Sequence, residues 1–217
     1  MPRKFINYIL KKLNKNLLLI FTRNPELGKC KTRLAAKTGD KIALDIYKFL
    51  LNHTVSITTK LNADKQVHYS VAIRENDIWD STIYQKKLQD GSNLGTRMMN
   101  AFKQGFADGY KNIIIIGSDL YDLNTADIQD AFNHLLNNDF VVGPATDGGY
   151  YLLGMKKLNH AVFENKDWGT NTVLKDTLNN LKDEKIKLLE AKNDVDYYED
   201  IKDIDAFKPF LKNIKND

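Results

Sequence analysis

Three cations crowd into five residues after the first apolar run of the chain. They are Lys29, Lys31 and Arg33 in the stretch Pro25-Glu26-Leu27-Gly28-Lys29-Cys30-Lys31-Thr32-Arg33-Leu34. Gly28 permits positive φ and a close backbone approach. Exposed N–H groups beside cations that stay charged at pH 7 are what a polyphosphate requires. The stretch also reads as a solvated basic turn. It is not a Walker A loop, because Cys30 follows Gly28-Lys29 and position 23 is Arg.

A second cluster, Gly117-Ser118-Asp119, closes the run Ile113–Ile116. A carboxylate where a buried strand stops is well placed to hold Mg²⁺ or Mn²⁺, which keep several waters and bridge phosphate oxygens. Capping of the next helix is the alternative role for Asp119, although Asp122, Asn124 and Thr125 lie closer to that helix. In the third cluster, Gly143-Pro144-Ala145-Thr146-Asp147-Gly148-Gly149-Tyr150, Asp-Gly reads as a tight turn. Its paired glycines would also let a ligand lie against backbone, with Asp147 free for sugar hydroxyls. A fourth, Asp194-Val195-Asp196-Tyr197-Tyr198-Glu199-Asp200, combines plausible first-turn acids, Glu199 and Asp200, with two acids one residue apart. Strand-like alternation points Asp194 and Asp196 the same way, as a second metal ligand requires. In the fifth, Gly91-Ser92-Asn93-Leu94-Gly95-Thr96-Arg97, Arg97 is a candidate phosphate ligand and Asn93 a candidate helix cap.

These clusters need elements to hold them. Leu17–Phe21 is a short continuous apolar run, as in a strand covered on both faces. Spacing predicts a helix from Asp40 to about Leu61, a strand over Val67–Ile73 and a helix over Leu94–Phe106. It then predicts strand Ile113–Ile116, helix Thr125–Leu136, strands Phe140–Val142 and Tyr150–Met155, helix Thr170–Leu181 and strand Lys187–Ala191. A last helix is expected from about Tyr197. Strands alternating with helices argue for a layered α/β fold with a mostly parallel sheet. In such sheets ligands bind outside the carboxyl ends of the strands, where these clusters fall.

Composition narrows the partners. With 217 residues, 42% hydrophobic and 28% charged, the chain reads as one globular domain that can bury a core without staples. The single cysteine, Cys30, and four scattered histidines (His53, His68, His134, His160) point away from disulfides and zinc and toward a reducing, cytoplasmic setting. The net charge of +4 is concentrated at one end. Removing Arg3, Lys4, Lys11, Lys12 and Lys15 from 32 basic residues leaves 27 against 28 acidic ones, so no nucleic-acid partner is expected. Residues 1–15 form a basic amphipathic segment, with Phe5, Ile6, Ile9, Leu10 and Leu13 at helical spacing. It either docks on the body, residues 16–217, or makes weak contact with an anionic membrane surface. It lacks a signal-peptide cleavage site, and no stretch reaches the length of a membrane span.

Taken together and in order, FTRNPELGKCKTRLA, GSNLGTRM, GSDL, VVGPATDGGYYLLG, Trp168 and DVDYYEDI resemble a GT-A-fold family. Its members are often labelled radical-SAM-associated or arsenosugar-biosynthesis glycosyltransferases. The resemblance covers about residues 17–205. It implies a single-domain, Rossmann-like three-layer sandwich binding a nucleotide at the carboxyl edge of its sheet. It further implies phosphates at Gly28, Lys29, Lys31, Arg33 and Arg97, and Mg²⁺ or Mn²⁺ at Asp119. Asp147, Gly148, Gly149, Tyr150 and Trp168 would line the sugar or acceptor side.

The fourth cluster is also similar to the VDTPEDL signature of sugar-acid cytidylyltransferases, which puts Asp196 at a metal-binding position. The chain departs from these patterns at Tyr197-Tyr198 (Thr-Pro), at Tyr121 (commonly Pro) and at Gly169 after Trp168 (usually Ser). Three readings follow. One is glycosyl transfer from a nucleotide-diphospho-sugar to a small-molecule acceptor, with Asp119, Lys31 and Arg33 catalytic. The second is nucleotidyl transfer from a nucleoside triphosphate with pyrophosphate release. The third is a nucleotide-binding or membrane-surface module without turnover, against which the intact Asp119 and Asp196 argue.

Overall fold

Strands covered on both faces show no polar alternation, and the two central strands obey that rule. Leu17, Leu18, Leu19 and Ile20 are fully buried, and Ile113 to Ile116 are at most 4% exposed. The computed structural model describes residues 15–212 and residue 214; the basic segment expected over residues 1–15 lies outside them apart from Lys15. The elements are β1 (Asn16–Thr22), α1 (Thr32–Thr38), α2 (Asp40–Thr58), β2 (Asp64–Tyr69), β3 (Tyr84–Leu88) and α3 (Leu94–Ala107). After these come β4 (Asn112–Gly117), α4 (Thr125–Leu135), β5 (Phe140–Pro144), β6 (Tyr150–Met155), α5 (Val173–Asn180), β7 (Ile186–Leu188) and α6 (Lys208–Leu211).

The seven strands form one sheet in the order β3-β2-β1-β4-β6-β5-β7, with β6 alone antiparallel to its neighbours. Successive side chains of a strand point to opposite faces, and the core divides accordingly. Leu18, Ile20, Ile114 and Ile116 pack with Tyr47 and Leu51 of α2 and Ile128 and Phe132 of α4. Leu17, Leu19, Ile113 and Ile115 pack with Met98 and Phe102 of α3 on the other face. Gly105 lets α3 settle onto the sheet, since a Cβ there would lie 2.7 Å from Ile113 Cδ1 and 2.8 Å from Leu17 Cδ2. The result is the expected α/β three-layer sandwich, a single domain with a mostly parallel sheet. Among the described residues no helix is long and apolar enough to cross a membrane.

The chain leaves β1 through α1 and α2 to reach β2 on one side, while β4 pairs with β1 on the other. This reversal opens a crevice at the carboxyl ends of β1 and β4, the usual ligand position in such sheets. Phe21 is level with Gly117 across the pair, so the loops that follow the two strands leave side by side. A third apolar cluster joins Leu34 of α1 and Ile46 and Leu50 of α2 to Val195, Ile201 and Phe207. It brings the C-terminal segment to the same edge.

Several expected boundaries move. The strand expected over Val67–Ile73 is Asp64–Tyr69, and residues 70–73 enter a loop anchored by Asn24, whose Oδ1 accepts from Val71 and Ala72 N–H. The expected strand Lys187–Ala191 is Ile186–Leu188. The helix expected from Tyr197 is instead broken into short 3₁₀ turns, Tyr198–Asp200 and Asp205–Phe207, before α6. Strand β3 (YQKKL) and the seven-residue α1 carry too little apolar pattern to be expected at all. β3 is an edge strand, where lysines are common. Its Lys86 Nζ donates to the Arg74 and Glu75 carbonyls and to Asp77, fastening the loop above it.

His68 is buried on β2 and stacked on Phe21 at 5.2 Å. Burial, with Lys87 adding to it, lowers its pKa from 6.5 to about 4. The unfolded chain therefore takes up this proton near pH 6.5 and the folded chain only near pH 4. Stability is lost as pH falls through that window, by about 3 kcal/mol in total, and is unaffected above it. Denaturant titrations of His68→Gln between pH 7 and 4 should show a flatter decline than the parent chain. An identical slope would remove His68 from the acid sensitivity.

Candidate active site

The loop after β1 is held from below by a buried hydroxyl network. Arg23 N donates to Tyr47 Oη at 2.9 Å, and that hydroxyl lies within 3.3 Å of Thr22 Oγ1 and 3.4 Å of Ser118 Oγ. Ser118 Oγ also donates to Thr22 Oγ1 at 3.0 Å. The ends of β1 and β4 are thereby fixed to α2. Above this network the loop turns at Gly28 (φ 71°) and delivers Lys31 to the start of α1 in the left-handed region, φ 51° and ψ 47°. A non-glycine residue held there costs of order 1–3 kcal/mol, a strain that recurs at functional sites.

Lys31 spends that strain on reach. Its side chain is 4% exposed, and Nζ donates to Asp119 Oδ2 at 2.7 Å and to Asp196 Oδ1 at 3.0 Å. Burial alone would lower the lysine pKa, but the two carboxylates outweigh it and hold it above its ordinary value. Arg33 Nη1 donates to the other oxygen of Asp196 at 2.9 Å and lies over the Tyr197 ring at 5.6 Å. Burial would raise the Asp196 pKa, yet Lys31 and Arg33 bring it below the ordinary carboxylate value.

Asp196 is aimed by its neighbours. Val195 is buried in the third apolar cluster, which turns Asp194 and Asp196 outward as alternation predicts. Asp200 accepts from the backbone N–H groups of Asp196 and Tyr197 at 2.8 and 2.6 Å. Asp200 thus ties back the backbone that precedes its 3₁₀ turn, in place of the expected first turn of a helix, while Asp196 faces the crevice. Asn124, not Asp119, caps α4, accepting from Asp127 N at 3.0 Å.

A cavity of about 400 Å³ opens over this cluster, lined by Arg23, Lys29, Lys31, Arg33, Asp119, Asp147, Asp194 and Asp196 among others. Asp147 sits in the hairpin between β5 and β6, where its Oδ1 accepts from Gly149 N at 2.8 Å, so the tight turn and the site are one feature. Gly148, at φ 90°, lets Asn171 pack on that hairpin, since a Cβ would lie 2.4 Å from its carbonyl oxygen. Lys29 also pairs with Glu26 at 2.9 Å.

Acids outnumber the cations that touch them. Burial first, then Asp147, Asp196 and Asp119, raise the Asp194 pKa to about 6. Carboxylate oxygens of Asp119 and Asp196 already converge on one cationic nitrogen, an arrangement that could also hold a divalent cation. Among the described residues no three His, Cys, Asp or Glu side chains form a ligand cluster. Asp119 and Asp196 are the carboxylates that could contribute to a Mg²⁺ or Mn²⁺ shell, which water and phosphate oxygens usually complete.

A second cavity of about 250 Å³ adjoins the first and shares Phe21, Asp147 and Gly169 with it. Tyr150 and Trp168 line it, edge to face at 6.4 Å. Gly95 of α3 admits Trp168, because a Cβ there would fall 2.8 Å from the indole nitrogen and 2.3 Å from the Phe163 carbonyl oxygen. Arg97 lines neither cavity: its Nε donates to the Gly91 carbonyl at 3.0 Å and Nη1 to Gln89 at 3.4 Å. Asn93 caps α3, accepting from Thr96 N at 2.9 Å. Arg23 and the Tyr47 hydroxyl were not expected at the site. Tyr47 falls on the apolar face of α2, and nothing in its spacing marks the hydroxyl.

The three-layer α/β sandwich with its mostly parallel seven-stranded sheet has a fold of the nucleotide-diphospho-sugar transferase type. Residues 53–170 match the model of the family described as "Uncharacterized protein conserved in bacteria (DUF2064)", and the chain belongs to that family. A crystal structure from Desulfovibrio desulfuricans G20, provisionally assigned as a nucleotide-diphospho-sugar transferase, is similar with a TM-score of 0.83 and 28% identity. The match covers 92% of this chain and 95% of that one. Rv0371c of Mycobacterium tuberculosis H37Rv in complex with manganese shares the fold at TM-score 0.53 and 12% identity, covering 92% and 99% of the two chains. So does CMP:2-keto-3-deoxy-manno-octonic acid synthetase complexed with CTP, at 0.51 and 10%, covering 90% and 99%. No protein of curated function matches the chain by sequence.

The hydroxyl network makes a direct prediction. Tyr47→Phe leaves Arg23 N–H and Ser118 without their shared partner in a buried setting, so stability should fall by about 1–3 kcal/mol. Urea titration of the variant measures it, and an unchanged midpoint would mean that the network does not hold the loop.

Proposed function

We propose that the protein is a metal-dependent transferase of GT-A type whose donor is a nucleotide-diphospho-sugar. The observation that carries this reading is the meeting of Lys31 with Asp119 and Asp196 at the switch point, in a cavity that Arg23, Lys29 and Arg33 also line. The description of the Desulfovibrio protein supports it, and the narrower radical-SAM-associated or arsenosugar label belongs to the same proposal. Gly28 turns the loop, and Lys29, Lys31 and Arg33 bind the diphosphate. Asp119 and Asp196 would hold Mg²⁺ or Mn²⁺, which when bound neutralises charge on the leaving diphosphate. Lys31 and Arg33 stabilise the charge that develops there, acting from fixed positions in a partly buried site. Asp147 holds a hydroxyl where the cavities join, and Gly148, Gly149, Tyr150 and Trp168 bound the sugar or acceptor side. A cytoplasmic setting, on the single buried thiol of Cys30, completes the proposal.

One observation favours a second reading, nucleotidyl transfer. The four cations that line the cavity, Arg23, Lys29, Lys31 and Arg33, are more than a diphosphate needs. In that reaction a phosphorylated substrate attacks the α-phosphate of a nucleoside triphosphate, and the cations grip the departing pyrophosphate.

Thermal melting with Mn²⁺ separates the two. A nucleotide-diphospho-sugar at 100 times its dissociation constant should stabilise by about 2.7 kcal/mol, raising the melting point by several degrees. A stronger shift with a nucleoside triphosphate would favour nucleotidyl transfer, and no shift with either would remove the nucleotide site. Asp119→Ala should keep the fold and lose metal-dependent turnover, and Lys31→Ala should weaken nucleotide binding at least tenfold. Membrane contact by residues 1–15 rests on their basic amphipathic sequence. Deleting residues 1–14 should abolish co-sedimentation with anionic vesicles, and equal sedimentation would dismiss that contact.

A further inference from the structure

The second cavity is poor in hydrogen-bonding groups for its size. Its wall includes Phe21, Leu94, Met98 and Val173, and its polar atoms are those of Asp147 and Thr170 and the tips of Tyr150, Tyr151 and Trp168. The Tyr150 hydroxyl has the Met98 sulfur as its contact, at 3.9 Å, and thioether sulfur is a weak acceptor. Each buried hydroxyl without a partner costs roughly 1–3 kcal/mol, so a hexose placed here would leave most of its hydroxyls unmatched. Nor is the apolar wall incidental. Gly95 omits a side chain where Trp168 presses in, its indole nitrogen 2.8 Å from the missing Cβ position.

Size and connection identify the occupant. About 150 Å³ of apolar cavity suffices for benzene, so about 250 Å³ has room for a six-membered ring with substituents. Asp147 stands where the apolar cavity meets the charged one. Resting on the transferase reading above, we infer that this compartment takes the acceptor, and that the acceptor is an alcohol on a compact aromatic or alicyclic body. Its ring lies among Phe21, Tyr150 and Trp168, and its hydroxyl faces Asp147 and the diphosphate cavity. The polyhydroxyl part of the donor stays in the polar cavity.

Trp168 reports on this compartment directly. Benzyl alcohol, cyclohexanol, glucose, glycerol, uridine and cytidine are titrated into the full chain while tryptophan fluorescence is followed. Trp168→Phe shows which part of the signal arises here. Leu94 is 44% exposed at the cavity mouth, so Leu94→Glu alters the wall without removing core. The expected result is a saturable change with benzyl alcohol and cyclohexanol at concentrations at least tenfold below glucose or glycerol. Leu94→Glu should raise those concentrations at least tenfold, with circular dichroism confirming its fold. Polyols binding as well as the alcohols, no saturable response to the alcohols, or an unaltered response in Leu94→Glu would overturn the inference. So would a nucleoside that binds more tightly than any alcohol, since the compartment would then hold the base. Melting shifts with nucleotide donors on the unmodified chain, run in parallel, test the transferase reading separately.

Discussion

The architecture of the site depends on one buried ammonium. Lys31 Nζ ties together Asp119, 88 residues away, and Asp196, 165 residues away, and so joins the β1 loop, the end of β4 and the segment beyond β7. Buried ion pairs add little net stability, because desolvation offsets their attraction, but losing one partner of such a pair costs about 3–5 kcal/mol. Lys31 is therefore better understood as a device of placement. The left-handed backbone that delivers it, and the Tyr47 network beneath, are costs that a purely structural loop would not need to carry.

The balance of charge around that ammonium points the same way. Lys31 and Arg33 together satisfy Asp119 and Asp196, yet Asp147 and Asp194 remain close enough for the Asp194 pKa to rise to about 6. A fold selected for stability alone would relieve such crowding with one more cation or one fewer acid. Four cations and four acids line the cavity, and on the proposed reading a divalent cation would relieve the acids that the fixed cations do not touch.

The sequence makes part of this legible. The continuous runs Leu17–Phe21 and Ile113–Ile116 announce a sheet buried on both faces, and that assignment puts Gly28 to Arg33 and Asp119 at strand ends. The alternation Asp194-Val195-Asp196 is equally plain, because one buried valine fixes where both acids point. What stays hidden depends on tertiary partners. Strand β3 is polar because it lies at an edge, and α1 exists because Leu34 reaches the cluster of Ile46, Val195 and Phe207. Arg97 carries a plausible charge at a plausible position, but its fork is spent on Gly91 and Gln89, which only the path of the β3–α3 loop reveals. Tyr47 is invisible for the opposite reason: its ring satisfies the helical pattern, and the pattern says nothing of its hydroxyl.

On the transferase reading proposed above, the two cavities would divide the work of one crevice. Phosphate recognition needs fixed charge and tolerates water, and the first cavity is open and lined by charged side chains. Accepting a transferred group needs the competing nucleophile, water, kept away from the reacting atom, which an apolar wall does without any specific contact. Gly95 shows how narrowly that wall is set, since one added carbon there falls 2.8 Å from the Trp168 indole nitrogen. Asp147, held by Gly149 N–H at the junction, is the polar side chain common to both environments. A hairpin that looks like an ordinary Asp-Gly turn thus marks the boundary between charge and hydrocarbon, and that boundary is where group transfer between the two cavities would take place.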